Sequence, residues 1–438
     1  MNPIDRQRAT DNEQRAAVPF CPHFGPCGGC QLQHLTYAAQ LDLKASRLRA
    51  LLEAANLTVP ELQLHPSPPF GYRNRIRLTL GMVDGDLRAG YLTSSSPDNL
   101  QPATCNSQLA FLPIRECPIA APILWRTAEA FLDLINESRA VWLSNSQCTP
   151  DQLELFTTAD ESRLQLTLFL RTAAKSLPPK LAAAFTALCE GLLARIPELT
   201  GAGIAILPAL SNQRSRRAEQ PRPGPTWGPP GLSYTVSSLQ PTTNNQRLST
   251  GNLQPATSYW VPRGAFFQIN RFLLPELVTL VTANQTGHLA WDLYAGVGLF
   301  SRALARSFST VTAVEIAEPA FTALAAGSAP AAGSKAGKLP NLRAVKATTL
   351  DFLRAAVVDR DRPDLIVLDP PRTGAGLEIC SLLARIAAPT LIYVSCSPET
   401  LPADLATLTA SGYRIASLHL LDLFPQTIHI ETLAILTR

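Results

Sequence analysis

Over residues 35–55 apolar side chains recur every three or four positions, the spacing of one helix face, and predict an amphipathic helix. From residue 70 to about 269 the period shortens. The runs YRNRIRLTLG, LRAGYLT, AVWLSN, LELFTTA, RLQLTLFLR, AGIAILP and GLSYTV read as short strands between turns. Beyond Leu289 strand-like runs (LAWDLYA, VTAVEI, LRAVKAT, DLIVLDP, LIYVSCS, IASLHLL, IHIETLAIL) alternate with helical ones. That alternation predicts a Rossmann-like, doubly wound α/β sheet, whose ligands bind at the carboxyl ends of the strands. Three segments, 211–231, 237–258 and 325–340, lack periodicity and read as inserted surface loops.

These patterns divide the chain into a flexible polar leader (1–20), a cysteine loop and helix (21–69), a mixed β-rich domain (70–265) and the α/β domain (266–438). With 438 residues, 46% apolar and 16% charged, the chain has material for buried cores and does not resemble a disordered tail. No apolar run approaches the roughly 18 residues of a membrane helix, and the first residues are too polar for a signal peptide. A cytoplasmic protein without membrane association is expected, and nothing calls for an obligate protein partner. The net charge of +4 permits an anionic partner without demanding one. Nine cysteines without an export signal point to reduced thiols, so clustered ones suit metal or cluster ligation better than disulfides.

The segment WDLYAGVGLF joins an apolar strand and an acid to a turn carrying Gly296 and Gly298, where backbone can approach a ligand closely. Glu315, at the end of the next strand, stands where a carboxylate accepts ribose hydroxyls. The turn lacks the third glycine of a dinucleotide fingerprint and has no basic neighbour. This favours S-adenosylmethionine, a cationic nucleoside, over a pyrophosphate. Asp369, held against two prolines in DLIVLDPPRTGAG, supplies a further acid. Cys396 follows an apolar strand and precedes a helical segment, a position whose field is expected to favour thiolate, although a buried structural thiol fits the same place. Glu431 lies inside an apolar β segment, where burial raises a carboxyl toward the range of a useful base. A thiol nucleophile, a base and a sulfonium together describe methylation of pyrimidine C5 after thiolate addition to C6.

Read in order, CPHFGPCGGCQLQHL, GYRNRIRL, FFQIN, DLYAGVGLF, VEI, LDPPRTGAG, VSCSPETL and HIETLAIL resemble the RNA (uracil-5-)-methyltransferase family, in particular its iron-sulfur-containing 23S rRNA branch. The resemblance runs over roughly residues 20–438. It implies Cys396 as nucleophile and Glu431 as base, and S-adenosylmethionine contacts from Gln268, Tyr294, Glu315, Thr348 and Asp369. Leu299 falls at a further contact but has no polar side chain to offer. Many members carry an RNA-binding β-barrel ahead of the cysteines, which the residues before Cys21 are too few to form. Ser397, Pro402 and Ala403 depart from the usual residues beside the nucleophile.

The spacing of Cys21, Cys27 and Cys30, C-x5-C-x2-C, suits three thiolates around one centre. The resemblance adds Cys117 as the fourth ligand, with Cys105 its nearest competitor, and implies a [4Fe-4S] cluster. Spacing alone leaves a four-thiolate zinc site open. In YRNRIRL, strand alternation sets Arg73, Arg75 and Arg77 on one face, a stripe able to follow an RNA backbone. The expected substrate is RNA, 23S rRNA by the resemblance. A tRNA substrate, cytosine as the target base, and a non-catalytic RNA-binding protein are the alternatives.

Overall fold

The structure, a computed structural model, describes residues 16–94, 109–143, 148–174, 177, 179–208, 221–237, 256–327 and 339–438. In chain order through residue 236 the elements are α1 (Tyr37–Ala54), β1 (Leu62–His65), β2 (Arg75–Val83), β3 (Asp86–Ser94), β4 (Leu109–Pro113), α2 (Pro122–Glu137), α3 (Arg139–Trp142), β5 (Cys148–Thr157), β6 (Leu164–Thr172), α4 (Pro179–Arg195), β7 (Leu199–Pro208), β8 (Arg222–Trp227) and β9 (Gly231–Val236). They are followed by β10 (Thr257–Pro262), α5 (Leu274–Thr282), β11 (Gly287–Leu293), α6 (Ser301–Leu304), β12 (Phe308–Glu315), α7 (Ala320–Ala326), β13 (Leu342–Lys346), α8 (Thr349–Asp359), β14 (Leu365–Leu368), α9 (Gly376–Ile386), β15 (Thr390–Ser395), α10 (Leu401–Ala410), β16 (Arg414–Leu421) and β17 (Glu431–Thr437). Two compact units emerge, one of residues 18–34 and 69–232, the other built chiefly of 35–68 and 233–438.

The first unit is a seven-stranded sheet in the order β4-β3-β2-β5-β6-β7-β8. Its neighbours are antiparallel except β6 and β7, which run parallel because α4 crosses between them. Leu78, Leu153, Leu155, Leu166 and Leu168 meet Leu124, Phe131, Phe185, Leu188 and Leu192 of α2 and α4 in one core. Neither of these helices stands out in the strand-like reading of this region. Residues 140–142, the start of the run AVWLSN, belong to the short helix α3 rather than to the expected strand. Residues 222–227, expected as part of an inserted loop, form the edge strand β8; Pro223 and Pro225 are tolerated there because an edge strand leaves backbone positions unpaired. The leader through residue 15, the remainder of that loop (211–220), and most of the other two segments fall outside the described residues, as does Cys105.

The second unit contains the α/β sheet, in the order β1-β16-β17-β15-β14-β11-β12-β13. Every neighbouring pair is parallel except those made by β17, which enters antiparallel between β15 and β16. The sequence reverses direction at β11, where β12 and β14 leave on opposite sides, the switch point at which such sheets open a crevice. Helix α1 belongs here and not with the cysteine loop. Its Ala45, Leu48 and Leu52 join Leu383, Leu401, Leu405, Leu408 and Leu418 in one core. Among the described residues no helix is long and apolar enough to cross a membrane.

Candidate active site

At the carboxyl end of β11 the backbone turns through three left-handed residues, Tyr294 (φ 64°), Gly296 (φ 57°) and Gly298 (φ 90°). A Cβ at Gly298 would stand 2.8 Å from Leu324 Cδ1 on backbone that is itself left-handed, so both conformation and space favour glycine there. A Cβ at Gly296 would meet nothing within 4 Å, so the turn is open there to a ligand. Left-handed backbone at the non-glycine Tyr294 is strain of the kind that gathers at ligand sites. Its phenol is bonded to Thr349, and burial raises its pKa.

Three carboxylates surround this turn. Asp292 is fully buried and accepts a hydrogen bond from Ser301 N at 2.7 Å; burial first, then Glu315, pushes it up to about 7. Glu315 accepts from Gly296 N at 2.9 Å, Ile316 N at 2.8 Å and Ala317 N at 2.6 Å, tying the end of β12 to the glycine turn. Asp369 follows β14 directly, and burial, with Asp292 next, pushes it up to about 7. Thr348 is exposed and caps α8, accepting from Asp351 N at 3.1 Å. Gln268 is buried beside Phe267, whose ring packs on Tyr234 and Tyr259. Phe267 and Tyr72 are both core residues.

The chemical half follows from strand register. β15 pairs with β17 so that Ser395 stands opposite Thr432, the last pair of that ladder; Cys396 and Glu431 come next on their strands, close enough for Glu431 to act on the thiol. The neighbourhood corrects the expected thiolate-favouring field: the thiol is pushed up to about 11, by burial first and then by Glu431 and Asp369, while Arg372 alone among the side chains opposes them. Two carboxylates and lost solvent outweigh any helix-terminus field. Glu431 is only 2% exposed, and burial, reinforced by Asp369, raises its pKa well above the carboxylate range.

Two contributors, Arg372 and Asp404, were not singled out from sequence. Asp404, in the first turn of α10, accepts from Tyr393 Oη (2.6 Å), Ala375 N (2.8 Å) and Gly376 N (3.0 Å), which pins the loop carrying Arg372. Only an acid in a first helical turn marks it, and that is commonplace.

In the other unit Cys21, Cys27, Cys30 and Cys117 line one cavity of about 310 Å³, with Arg73 and Tyr91 in its wall. The loop is shaped by left-handed Gly25 and Gly28, by Cys27 N donating to His23 O at 3.0 Å, and by Cys21 N donating to Gln33 Oε1 at 2.9 Å. Burial raises all four thiols, Cys30 to about 11, and Arg73 lowers Cys27, Cys30 and Cys117. Among the described residues no three His, Cys, Asp or Glu side chains stand close enough to hold a single metal ion.

The arginine stripe divides. The expected alternation is present, with Asn74, Ile76 and Leu78 buried, but Arg73 turns into the cysteine cavity and Arg75 lies 4.2 Å over the Phe156 ring. Arg77 is about half exposed, stacked on Phe169 and bonded to Glu154 at 2.6 Å. One face of a strand can be wetted at one end and covered at the other, which periodicity does not register.

Residues 254–438 match the family model for tRNA (uracil-5-)-methyltransferase. The whole chain is 29% identical over 432 residues to the 23S rRNA (uracil(1939)-C(5))-methyltransferase RlmD of Alkalilimnicola ehrlichii, covering 96% of this chain and 83% of the relative. It is 27% identical over 435 residues to an uncharacterized RNA methyltransferase of Thermotoga maritima, covering 98% and 86%. Its fold is similar to the crystal structure of Pyrococcus abyssi tRNA (uracil-54, C5)-methyltransferase in complex with S-adenosyl-L-homocysteine, with a TM-score of 0.64 at 22% identity over 93% of this chain and 86% of that one.

Proposed function

We propose that this protein transfers a methyl group from S-adenosylmethionine to C5 of uracil in 23S rRNA, forming 5-methyluridine. The observation that carries the reading is the convergence of Cys396 with Glu431, Asp369 and Arg372, just past the last β15–β17 pair at the sheet's ligand-binding end. Gln268, Tyr294, Glu315, Thr348 and Asp369 are the proposed cofactor contacts. When bound, S-adenosylmethionine supplies a cationic sulfonium and an electrophilic methyl. The thiol's proton passes to the Asp369 carboxylate, leaving Glu431 ionised for the later step, and the Cys396 thiolate adds to C6. The C5–C6 electron pair is thereby pushed toward O4 and C5 becomes nucleophilic. Once C5 carries the methyl, the Glu431 carboxylate removes the C5 proton, and the C6–S bond breaks to return the thiolate. Because stacking shields C6, the target base must be unpaired or flipped out.

The four cysteines fit a [4Fe-4S] cluster. They surround one cavity rather than meeting at a point, and Arg73 offers positive charge against an anionic cluster. Cys21, Cys27, Cys30 and Cys117 would hold it, in a structural or RNA-orienting role. Of the three arginines, Arg77 is the proposed phosphate contact, supported by its exposure and in competition with Glu154.

RNA carrying 5-fluorouridine at the target tests the chemistry, because fluorine cannot leave as a proton. A denaturant-stable protein–RNA adduct is expected, and it should vanish in Cys396→Ala. Turnover without any adduct would refute thiolate addition. Base-resolved mapping of rRNA and tRNA from cells with and without the gene separates uracil from cytosine and one RNA from the other. Anaerobically purified protein should be brown, and colourless zinc-loaded protein would refute the cluster.

A further inference from the structure

Glu431 is the first residue of β17, and its pairing with Leu421 is the last of the β16–β17 ladder. The irregular connection 422–430 begins at once, so its conformation decides whether that last pair holds or frays. Buried polar groups fasten it. The Gln40 side chain donates from Nε2 to Gln426 Oε1 at 2.9 Å and accepts at Oε1 from Gln426 N at 3.0 Å, with Gln426 itself left-handed at φ 69°. Lys44 Nζ donates to Asp422 Oδ1 at 2.6 Å and to Phe424 O at 3.0 Å, with side-chain exposures of 1% for Lys44 and 0% for Asp422. Asn270 donates to Leu423 O at 3.1 Å and Ser67 Oγ at 2.9 Å, while Asp422 N donates to His65 O at 3.0 Å. Burying a lysine–aspartate pair carries a desolvation cost that apolar packing would avoid, and such pairs are best attested as specificity devices.

We propose that Gln40 and Lys44 of α1 are positioning residues for proton abstraction, clamping the connection so that Glu431 stands over the target base. The inference rests on the reading of Glu431 as general base. A base displaced by an ångström loses much of its rate while substrate binding is untouched. The defect would fall on the step after methyl transfer, leaving protein and methylated RNA covalently joined.

The test uses the full chain, S-adenosylmethionine labelled in its methyl group, and unmethylated 23S rRNA transcribed in vitro. Gln40→Leu removes both Gln426 bonds at similar volume. The double variant Lys44→Met/Asp422→Leu replaces the ion pair with apolar groups, so that no charge is left buried alone. Glu431→Gln is the reference. Both clamp variants are expected to lose on the order of ten- to a hundredfold in kcat, with KM for RNA little changed. Both should also accumulate labelled, denaturant-stable protein–RNA adduct above the wild-type level. A merely structural role would lower stability and activity without accumulating adduct. Unchanged kcat, or lost kcat without adduct while Glu431→Gln accumulates it, overturns the clamp. If Glu431→Gln itself accumulates none, the base assignment falls and the clamp with it. Should one variant not fold, the other carries the same readings.

Discussion

The reactivity of Cys396 in the free protein follows from its surroundings. Its thiol stands at about 11 against an ordinary 9.0, raised by burial, Glu431 and Asp369. Those two pH units leave about one-hundredth of the thiolate an ordinary cysteine holds at neutral pH. Intrinsic nucleophilicity rises with pKa along a Brønsted slope of about 0.4–0.5, which returns roughly tenfold. Alkylation by iodoacetamide at neutral pH should therefore run about tenfold slower than for an exposed cysteine peptide. The rate should climb about tenfold per pH unit through pH 10. Mass spectrometry of the Cys396 peptide reads this apart from the other cysteines. Glu431→Gln removes one of the two raising charges and should shift the profile to lower pH. A positive charge bound beside the thiol favours thiolate and lowers the pKa of Cys396. A cationic amine analogue of S-adenosylmethionine should thus accelerate alkylation at neutral pH, whereas neutral S-adenosylhomocysteine should not. A rate plateau near pH 7 in the free protein, or equal effects of the two ligands, would refute the reasoning.

The glycine turn and its acids supply two further predictions. Gly298→Ala adds a methyl 2.8 Å from Leu324 Cδ1 at φ 90° and should destabilise the fold by about 1–3 kcal/mol in urea titration. Gly296→Ala meets no neighbour. It should cost about 1–2 kcal/mol for its backbone alone, and weaken cofactor binding, read by calorimetry, more than it weakens the fold. Asp292 is held at about 7, above its unfolded value, so its protonated form is the one favoured by folding. That contribution is fully present below about pH 4 and is lost as pH rises through 7. Without cofactor, stability should therefore decline on this account across pH 4–8, and Asp292→Asn should remove part of the decline in denaturation midpoints taken pH by pH.

How much of this was legible in the sequence depends on the range of the interactions. The strands of the α/β sheet announced themselves as short apolar runs between helical segments, and helix α1 by its period of 3.6, both of them local signals. The run AVWLSN misled because β-branched and aromatic residues signal strand over a stretch too short to show a period, whereas packing made residues 139–142 helical. That α1 belongs to the α/β unit rests on Leu48 and Leu52 sharing one core with residues of α9 and α10, a relation that no spacing encodes. Cys396 and Glu431 were each visible as chemistry embedded in an apolar strand. Their meeting was not, since it needs β17 to enter antiparallel between two strands that precede it in sequence. Arg73 looked like its neighbours in the stripe because alternation tells which face a side chain takes, not what covers that face.

The electrostatics of the site give its chemistry a direction. Glu431 is buried and Asp369 largely so, each raises the pKa of another group at the site, and the cation acting on Cys396 and Glu431 is the exposed Arg372. Such a site is short of positive charge, and a short supply of charge in a desolvated place is a demand on the ligand. A sulfonium meets that demand and a neutral thioether does not. The same imbalance that keeps the thiol protonated in the free protein makes thiolate formation depend on a bound cation. On the proposed chemistry, addition to the pyrimidine would be withheld until the methyl donor is bound, and the spent cofactor, having lost its charge, would be held less tightly than the one that replaces it.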